Sequence, residues 1–193
     1  MGKKYQIIYA DPPWDYDDKK NCDPKMGGIT YPVLKLPILK TLKVPEICDK
    51  NCLLFLWVTG PKLPEAIELM KAWGFKYLTV AFNWIKINRD GSLRTGLGHY
   101  SRSCSEFVLL GKKGSIKRVN NKVLQGLMEP IRGHSSKPLE IRERILKLVG
   151  PLSMIELFAR ERDHRIDCIG NDISGKDISV EIEELLNGTW KQS

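Results

Sequence analysis

Residues 5–10 (YQIIYA) form a short, almost wholly apolar run that stops at Asp11-Pro12-Pro13. So compact a run predicts a buried strand, and two consecutive prolines fix φ and remove backbone donors, which ends it at Ala10. Residues 53–58 (LLFLWV) repeat the pattern and end at Thr59-Gly60-Pro61. Helical patterns separate these runs. Ala66, Ile67, Met70 and Trp73 recur at helical spacing over 64–73, with Gly74 as terminator. Ser135-Ser136-Lys137-Pro138 opens a second helix, with serines available for capping and proline in the first turn, and Gly150-Pro151 ends it after Val149. A third helix spans 178–186 and stops at Asn187-Gly188. Further strands are expected at 77–86, 105–110, 153–158 and 165–169, and strands alternating with helices predict an α/β sheet. The aperiodic stretch 88–104 is expected to be a functional loop, and 111–133 an exposed basic loop or hairpin.

Composition bounds the partners. With 193 residues and 42% hydrophobic content, the chain has material for one core, so 1–193 is expected to be a single domain without repeats or linkers. The 31 Lys and Arg against 23 Asp and Glu leave a net charge of +8, which favours an anionic partner. Arg89, Arg94, Arg102, Lys112, Lys113, Lys117, Arg118 and Lys122 fall in segments bracketing the 105–110 strand, where they are expected to track phosphates. Nothing approaches the roughly 18 apolar residues of a membrane span, and the chain enters its first strand without a signal-peptide segment; no membrane association is expected, and the location expected is the cytoplasm. Five scattered cysteines (Cys22, Cys48, Cys52, Cys104, Cys168) lack Cys-x-x-Cys spacing, which predicts reduced thiols and no metal site.

Asp11-Pro12-Pro13-Trp14, set where open α/β sheets place ligands, answers a specific chemical problem. An exocyclic amino nitrogen on a nucleobase is a poor nucleophile, because its lone pair is delocalised into the ring. A carboxylate and a backbone carbonyl accepting its two N–H hydrogens hold it in place and favour pyramidalisation. Asp11 and the Pro12 carbonyl suit those roles, the prolines stiffen the loop, and the Trp14 ring offers a face for an extruded base. No general base is required, since the nitrogen sheds its proton after transfer; His99 and His134 are therefore expected to be loop residues.

Further segments extend the pattern: ADPPW at 10–14, LFLWVTG at 54–60, Trp84-Ile85-Lys86, RTGLGHYSRSCSEFVLLGKKG at 94–114, HSSKP at 134–138, IELFAR at 155–160 and IGND at 169–172. In these, over nearly its whole length, the chain resembles the MT-A70-like adenine amino-methyltransferases, the family of the eukaryotic messenger-RNA adenosine methyltransferase catalytic subunit and its compact prokaryotic and phage relatives. The resemblance implies a Rossmann-like fold that uses S-adenosylmethionine, with a mostly parallel sheet and helices on both faces. The motif order is permuted: the catalytic strand comes first in the chain and the donor-binding strand last, so Asp11 is expected beside the 158–160 turn. The resemblance also implies that Asp11, Pro12 and Pro13 hold the target amino group while Trp14 and Tyr31 shape the base site. Lys137 stands between donor and base. Asp11, Ser135, Ser136, Phe158, Arg160, Asn171 and Asp172 complete the donor contacts, Arg160 at the ribose and Asn171 at the adenosyl part.

Three positions depart from the family pattern. Ala159 stands where a glycine is expected, which requires negative φ there. Asp172 replaces a frequent glutamine, and a short acidic side chain near a strand end can still accept from ribose hydroxyls. The upstream segment that adds donor contacts in eukaryotic members has no counterpart here, which predicts a more open site. The compact length resembles the prokaryotic and phage members, for which DNA is the expected polymer and RNA the alternative; a homodimer is plausible. Two other functions fit the same residues: amino methylation of cytosine, and an inactive nucleic-acid-binding subunit.

Overall fold

The computed structural model describes residues 2–16, 33–98, 100–132 and 136–191. Strands β1 (Tyr5–Ala10), β2 (Cys48–Val58), β3 (Lys76–Ile87), β4 (Ser105–Lys113), β5 (Gly126–Pro130), β6 (Met154–Leu157) and β7 (Asp167–Ile169) make one sheet in the order β5-β3-β4-β2-β1-β6-β7. β1 runs parallel to both β2 and β6, β6 to β7 and β3 to β5, and only β4 opposes its neighbours. This is the mostly parallel α/β sheet that the sequence predicts.

The central strands are apolar throughout because both their faces are covered. Ile8, Ala10, Leu54, Leu56 and Val58 enter one core, beneath α1 (Leu36–Thr41), α2 (Val44–Ile47), α3 (Leu63–Ala72) and α6 (Ile178–Asn187). Ile7, Tyr9, Leu53, Phe55 and Trp57 enter the other, beneath α4 (Leu139–Val149). The two sets alternate residue by residue, as the period of a strand requires. The short α5 (Asn171–Ser174) follows β7.

Several expectations shift. Ile67 is 43% exposed, and Leu69 joins Ala66, Met70 and Trp73 on the buried stripe of α3. α4 begins at Leu139 with Pro138 at its N-cap and no side-chain capping bond, so Ser136 lies upstream of the helix. β2 starts five residues earlier than the apolar run, at Cys48, and β4 continues to Lys113; the segment expected to be a basic loop thus contributes the end of one strand and all of β5. α6 ends at Gly188, whose φ of 73° supplies the left-handed turn a glycine adopts readily. Cys48, Cys52 and Cys168 are free and buried, and Cys104 is free and half-buried; Cys22 lies outside the described residues. No described helix is long and apolar enough to cross a membrane.

Candidate active site

Because β1, β2, β6 and β7 run the same way, their carboxyl ends converge on one rim of the sheet. Asp11 follows β1 there, and its N–H approaches the Leu157 carbonyl at 3.4 Å, which sets it beside the 158–160 turn after β6. Asp11 continues the side of β1 that carries Ile7 and Tyr9, so its carboxylate reaches the α4 side of the sheet. There Lys137, just ahead of α4, donates to Asp11 Oδ2 at 2.7 Å. The same ammonium lies 3.3 Å from Glu106 Oε2 on β4, and Glu106 Oε1 pairs with Lys86 on β3. Two carboxylates and two ammoniums thus form a neutral chain across four elements.

This chain sits on aromatic ground. Lys137 Nζ lies 5.4 Å from the centre of the Trp57 ring and Lys86 Nζ 5.1 Å from that of Trp84, while the two indoles meet edge to face at 6.2 Å. Trp57 donates to the Tyr9 hydroxyl at 2.6 Å and Trp84 to the Glu129 carbonyl at 2.9 Å, so neither ring is free to turn. Burial pushes the Asp11 carboxyl above its ordinary range, and Lys137 only partly opposes it. Burial also pushes Glu106 upward, but Lys137 and Lys86 outweigh that and hold it below the usual value. Burial alone would lower the Lys137 ammonium; Asp11 and Glu106 more than reverse this and keep it charged. The contrast follows from the geometry: Glu106 has two ammoniums, and Asp11 shares one.

A pocket of about 230 Å³ opens on the other side of Asp11, lined by Pro13, Leu34, Phe158, Ala159, Arg160, Asn171, Asp172, Asp177 and Ile178. Apolar walls and short carboxylates in one pocket suit a ring system joined to a polyhydroxylated sugar. Its floor is the 158–160 turn. Phe158 is the one described non-glycine residue with positive φ, at 61°, and Ala159 donates its N–H to the Ile169 carbonyl at 2.9 Å. Alanine is tolerated at 159 because the left-handed residue is its predecessor. A narrower cavity of about 30 Å³ on the α4 side joins Asp11, Ser136 and Lys137 to Tyr9, Arg142, Glu156 and Arg160.

The MT-A70 family model matches residues 5–172. The chain belongs to the MT-A70 family. It is 38% identical over 196 residues to the type II methyltransferase M.MunI of a Mycoplasma species, covering 92% of the chain and 82% of that relative. It is 31% identical over 181 residues to the human N(6)-adenosine-methyltransferase catalytic subunit METTL3 and 30% identical over 192 residues to a putative N(6)-adenosine-methyltransferase, MT-A70-like, of Medicago truncatula. These matches cover 89% and 97% of the chain but 29% of each of those two relatives. The chain is a methyltransferase.

Against this MT-A70 site the sequence expectations divide. Asp11, Lys137, Phe158, Arg160, Asn171 and Asp172 converge on the two pockets, with Ser136 lining the narrower one and Pro13 the wider. The Pro12 carbonyl accepts the Trp14 N–H at 2.8 Å; a carbonyl has a second lone pair, which leaves it able to accept from an amine. Tyr31 and Ser135 lie outside the described residues, as do His99 and His134. Trp14 is corrected: it is 5% exposed and donates its indole N–H to the Trp57 carbonyl at 3.0 Å. A ring so enclosed presents no open face to a base, and its bond ties the Asp11–Trp14 turn to β2.

The basic set divides by position. Arg94 and Arg102, in the segments after β3 and before β4, lie at the same rim of the sheet as Asp11 and are exposed. Lys112 and Lys113 pair with Leu53 and Cys52, midway along β2 and away from its carboxyl end, because β4 runs antiparallel and carries its own end away from the site. Lys117 and Arg118 follow them to the far end, where Val119 bonds the Leu148 carbonyl near the end of α4. Sequence reading missed Glu106 and the pairing role of Lys86. A signal existed: each lies two residues from a buried β-residue, Val108 and Trp84, so strand alternation points both at the core face.

Proposed function

We propose that this methyltransferase transfers the methyl group of S-adenosylmethionine to the N6 amino group of adenine in nucleic acid, DNA in preference to RNA. The observation that carries the reading is the position of Asp11, between the pocket of Asn171 and Asp172 and the charged chain of Lys137 and Glu106. Asp172 and Asn171 suit the ribose and adenine edges of the donor, Leu34 and Ile178 its ring faces, and Arg160 the rim between them. Bound there, the donor supplies an electrophilic methyl on a sulfonium sulfur.

The chain's own residues do the rest. A carboxylate has lone pairs beyond the one Lys137 engages, so Asp11 accepts one amino hydrogen of adenine and the Pro12 carbonyl accepts the other. Both acceptors are set by a rigid proline turn, and this holds the nitrogen lone pair in one direction at little entropic cost. Lys137 favours the ionised form of Asp11 against its burial and adds positive charge beside a reacting nitrogen that must not arrive protonated. The proton lost after transfer passes to Asp11 or to solvent. The relative whose length this chain most nearly spans among those above, M.MunI, is a type II methyltransferase, which favours DNA.

Incorporation of tritium from labelled donor into N6-methyladenine of DNA, with Asp11→Ala abolishing it in a folded protein, tests the reading. Label recovered in N4-methylcytosine would reassign the base. Donor binding absent from calorimetric titration would mark an inactive subunit.

A further inference from the structure

We propose that the end of the sheet opposite Asp11 carries a second phosphate-binding surface, formed by Lys76, Lys112, Lys117, Arg118 and Lys147, which holds the segment of nucleic acid flanking the target base. The proposal rests on the nucleic-acid reading above and adds a second contact region to it.

The residues converge from four parts of the chain. Lys112 shares the α4-side face of β4 with Glu106, six residues further along, which puts it about 20 Å from the catalytic chain. Lys76 is its direct partner on β3. After β4 the chain turns under β2, where the Ser115 N–H bonds Asn51 Oδ1 at 2.8 Å, and then meets the end of α4 through the Val119 N–H and the Leu148 carbonyl, also 2.8 Å apart. That path lays Lys117 and Arg118 beside the last turn of α4, which carries Lys147.

Three physical features suit this surface to an extended anionic ligand. All five cations are exposed, and none makes an ion pair among the described residues, which leaves their charges available to an anion. Lys76 and Lys112 stand directly opposite in an antiparallel ladder, and like charges so placed destabilise the pair. An anion seated between the two ammoniums removes that repulsion. Lys147 alone has a local reason, the negative end of the α4 dipole. Separated positive charges over an extended surface match the regular spacing of a polyphosphate backbone, and about 20 Å corresponds to about six base pairs of duplex at roughly 3.4 Å each. One nucleic acid can therefore present its target at Asp11 and its flank here.

The test uses the full chain carrying Lys76→Gln, Lys117→Gln, Arg118→Gln and Lys147→Gln together, with Lys117→Gln/Arg118→Gln as the variant confined to an exposed turn. Binding of a labelled duplex of about 30 base pairs is measured across a salt series, and methylation is compared on that duplex and on an oligonucleotide of about six nucleotides carrying the same target. The expected result for the quadruple variant is a salt slope shallower by about 3 to 4, near 0.9 per lost contact, with roughly tenfold higher KM on the long duplex. Kinetics on the short substrate stay unchanged, and the melting temperature moves by no more than about 2 °C, because relief of the Lys76–Lys112 repulsion offsets loss of the Lys147 interaction with the α4 dipole. The double variant should show about half the slope change. An unchanged slope and KM on the long duplex would overturn the proposal, as would equal impairment on short and long substrates. Should the wild-type chain methylate no nucleic acid, the functional reading fails on its own, and the binding series still decides the surface. Repeating it with RNA duplex reports which polymer the surface prefers.

Discussion

Lys137 Nζ stands 2.7 Å from Asp11 Oδ2 across 126 residues of sequence and also touches Glu106, so one ammonium holds two part-buried carboxylates at the carboxyl-end rim of the sheet. Like-charged carboxylates this close raise each other's pKa unless a cation lies between them.

Removing that cation defines the first prediction. In Lys137→Met, Asp11 loses its partner while burial and Glu106 both continue to push its carboxyl upward. In the proposed role Asp11 accepts the amino hydrogen as a carboxylate, so activity at neutral pH should fall on the order of 100-fold and recover in part as pH rises. The sign for stability is opposite. A carboxyl whose folded pKa lies above its unfolded value favours the folded state below the unfolded pKa, and that contribution is lost as pH rises through the folded one. The variant should therefore melt higher in mildly acidic than in neutral buffer. A pH–rate profile with an unmoved acid limb would count against the role of Lys137.

How much of this was legible in the sequence depends on what each residue's neighbours reveal. Asp11 was legible because an apolar strand and two prolines bracket it, which fixes a strand end without any tertiary knowledge. Arg160, Asn171 and Lys137 came from the family resemblance; no local pattern joins them to Asp11, from which they are distant in sequence. Lys112 and Lys113 were misplaced because a strand's direction is a property of its pairing: with β4 antiparallel, residues at its end leave the site. Trp14 was misread for a related reason, since its indole bonds to a β2 carbonyl that only the folded sheet brings near. The helices α1 and α2 are too short to show a hydrophobic period.

Glu156 carries a second pH prediction. It lies on β6 opposite Tyr9, paired with Arg142, and burial pushes its carboxyl up to about 7 despite that partner. Its folded pKa exceeds its unfolded value near 4.5, so the stability it contributes is complete below about 4.5 and lost as pH rises through about 7. In Glu156→Gln the fall in melting temperature between those values should be shallower than in the wild type. Thermal melts across that window check it; parallel curves for the two proteins would contradict the buried titration.

Trp14→Phe separates anchoring from base stacking. Phenylalanine keeps an aromatic ring but cannot donate to the Trp57 carbonyl, and loss of a buried hydrogen bond costs about 1 kcal/mol. The melting temperature should fall by about 2–4 °C. An unchanged melting temperature together with a raised KM for nucleic acid would show the ring acting on substrate instead of on the loop.

Gly170→Ala tests whether the donor pocket is shaped by the contact between two strand ends. Gly170 has φ of 164°, an extended conformation open to any residue, so backbone preference does not exclude alanine. Space does. A Cβ there would lie 2.5 Å from the Ala159 carbonyl oxygen and 2.7 Å from its nitrogen, and a backbone cannot swing aside as a side chain can. To admit the methyl group, the 158–160 turn must move away from β7, and the bond from the Ala159 N–H to the Ile169 carbonyl must lengthen. Phe158 and Arg160 then leave the positions from which they line the pocket, while Asp11, Lys137 and Glu106 on the α4 side keep theirs. Overpacking of this kind costs about 1–3 kcal/mol. The donor should bind roughly tenfold more weakly by calorimetric titration, a loss of about 1.4 kcal/mol, with KM for nucleic acid nearly unchanged at saturating donor. Equal weakening toward both substrates would mean that the turn supports the whole rim and not the donor side alone.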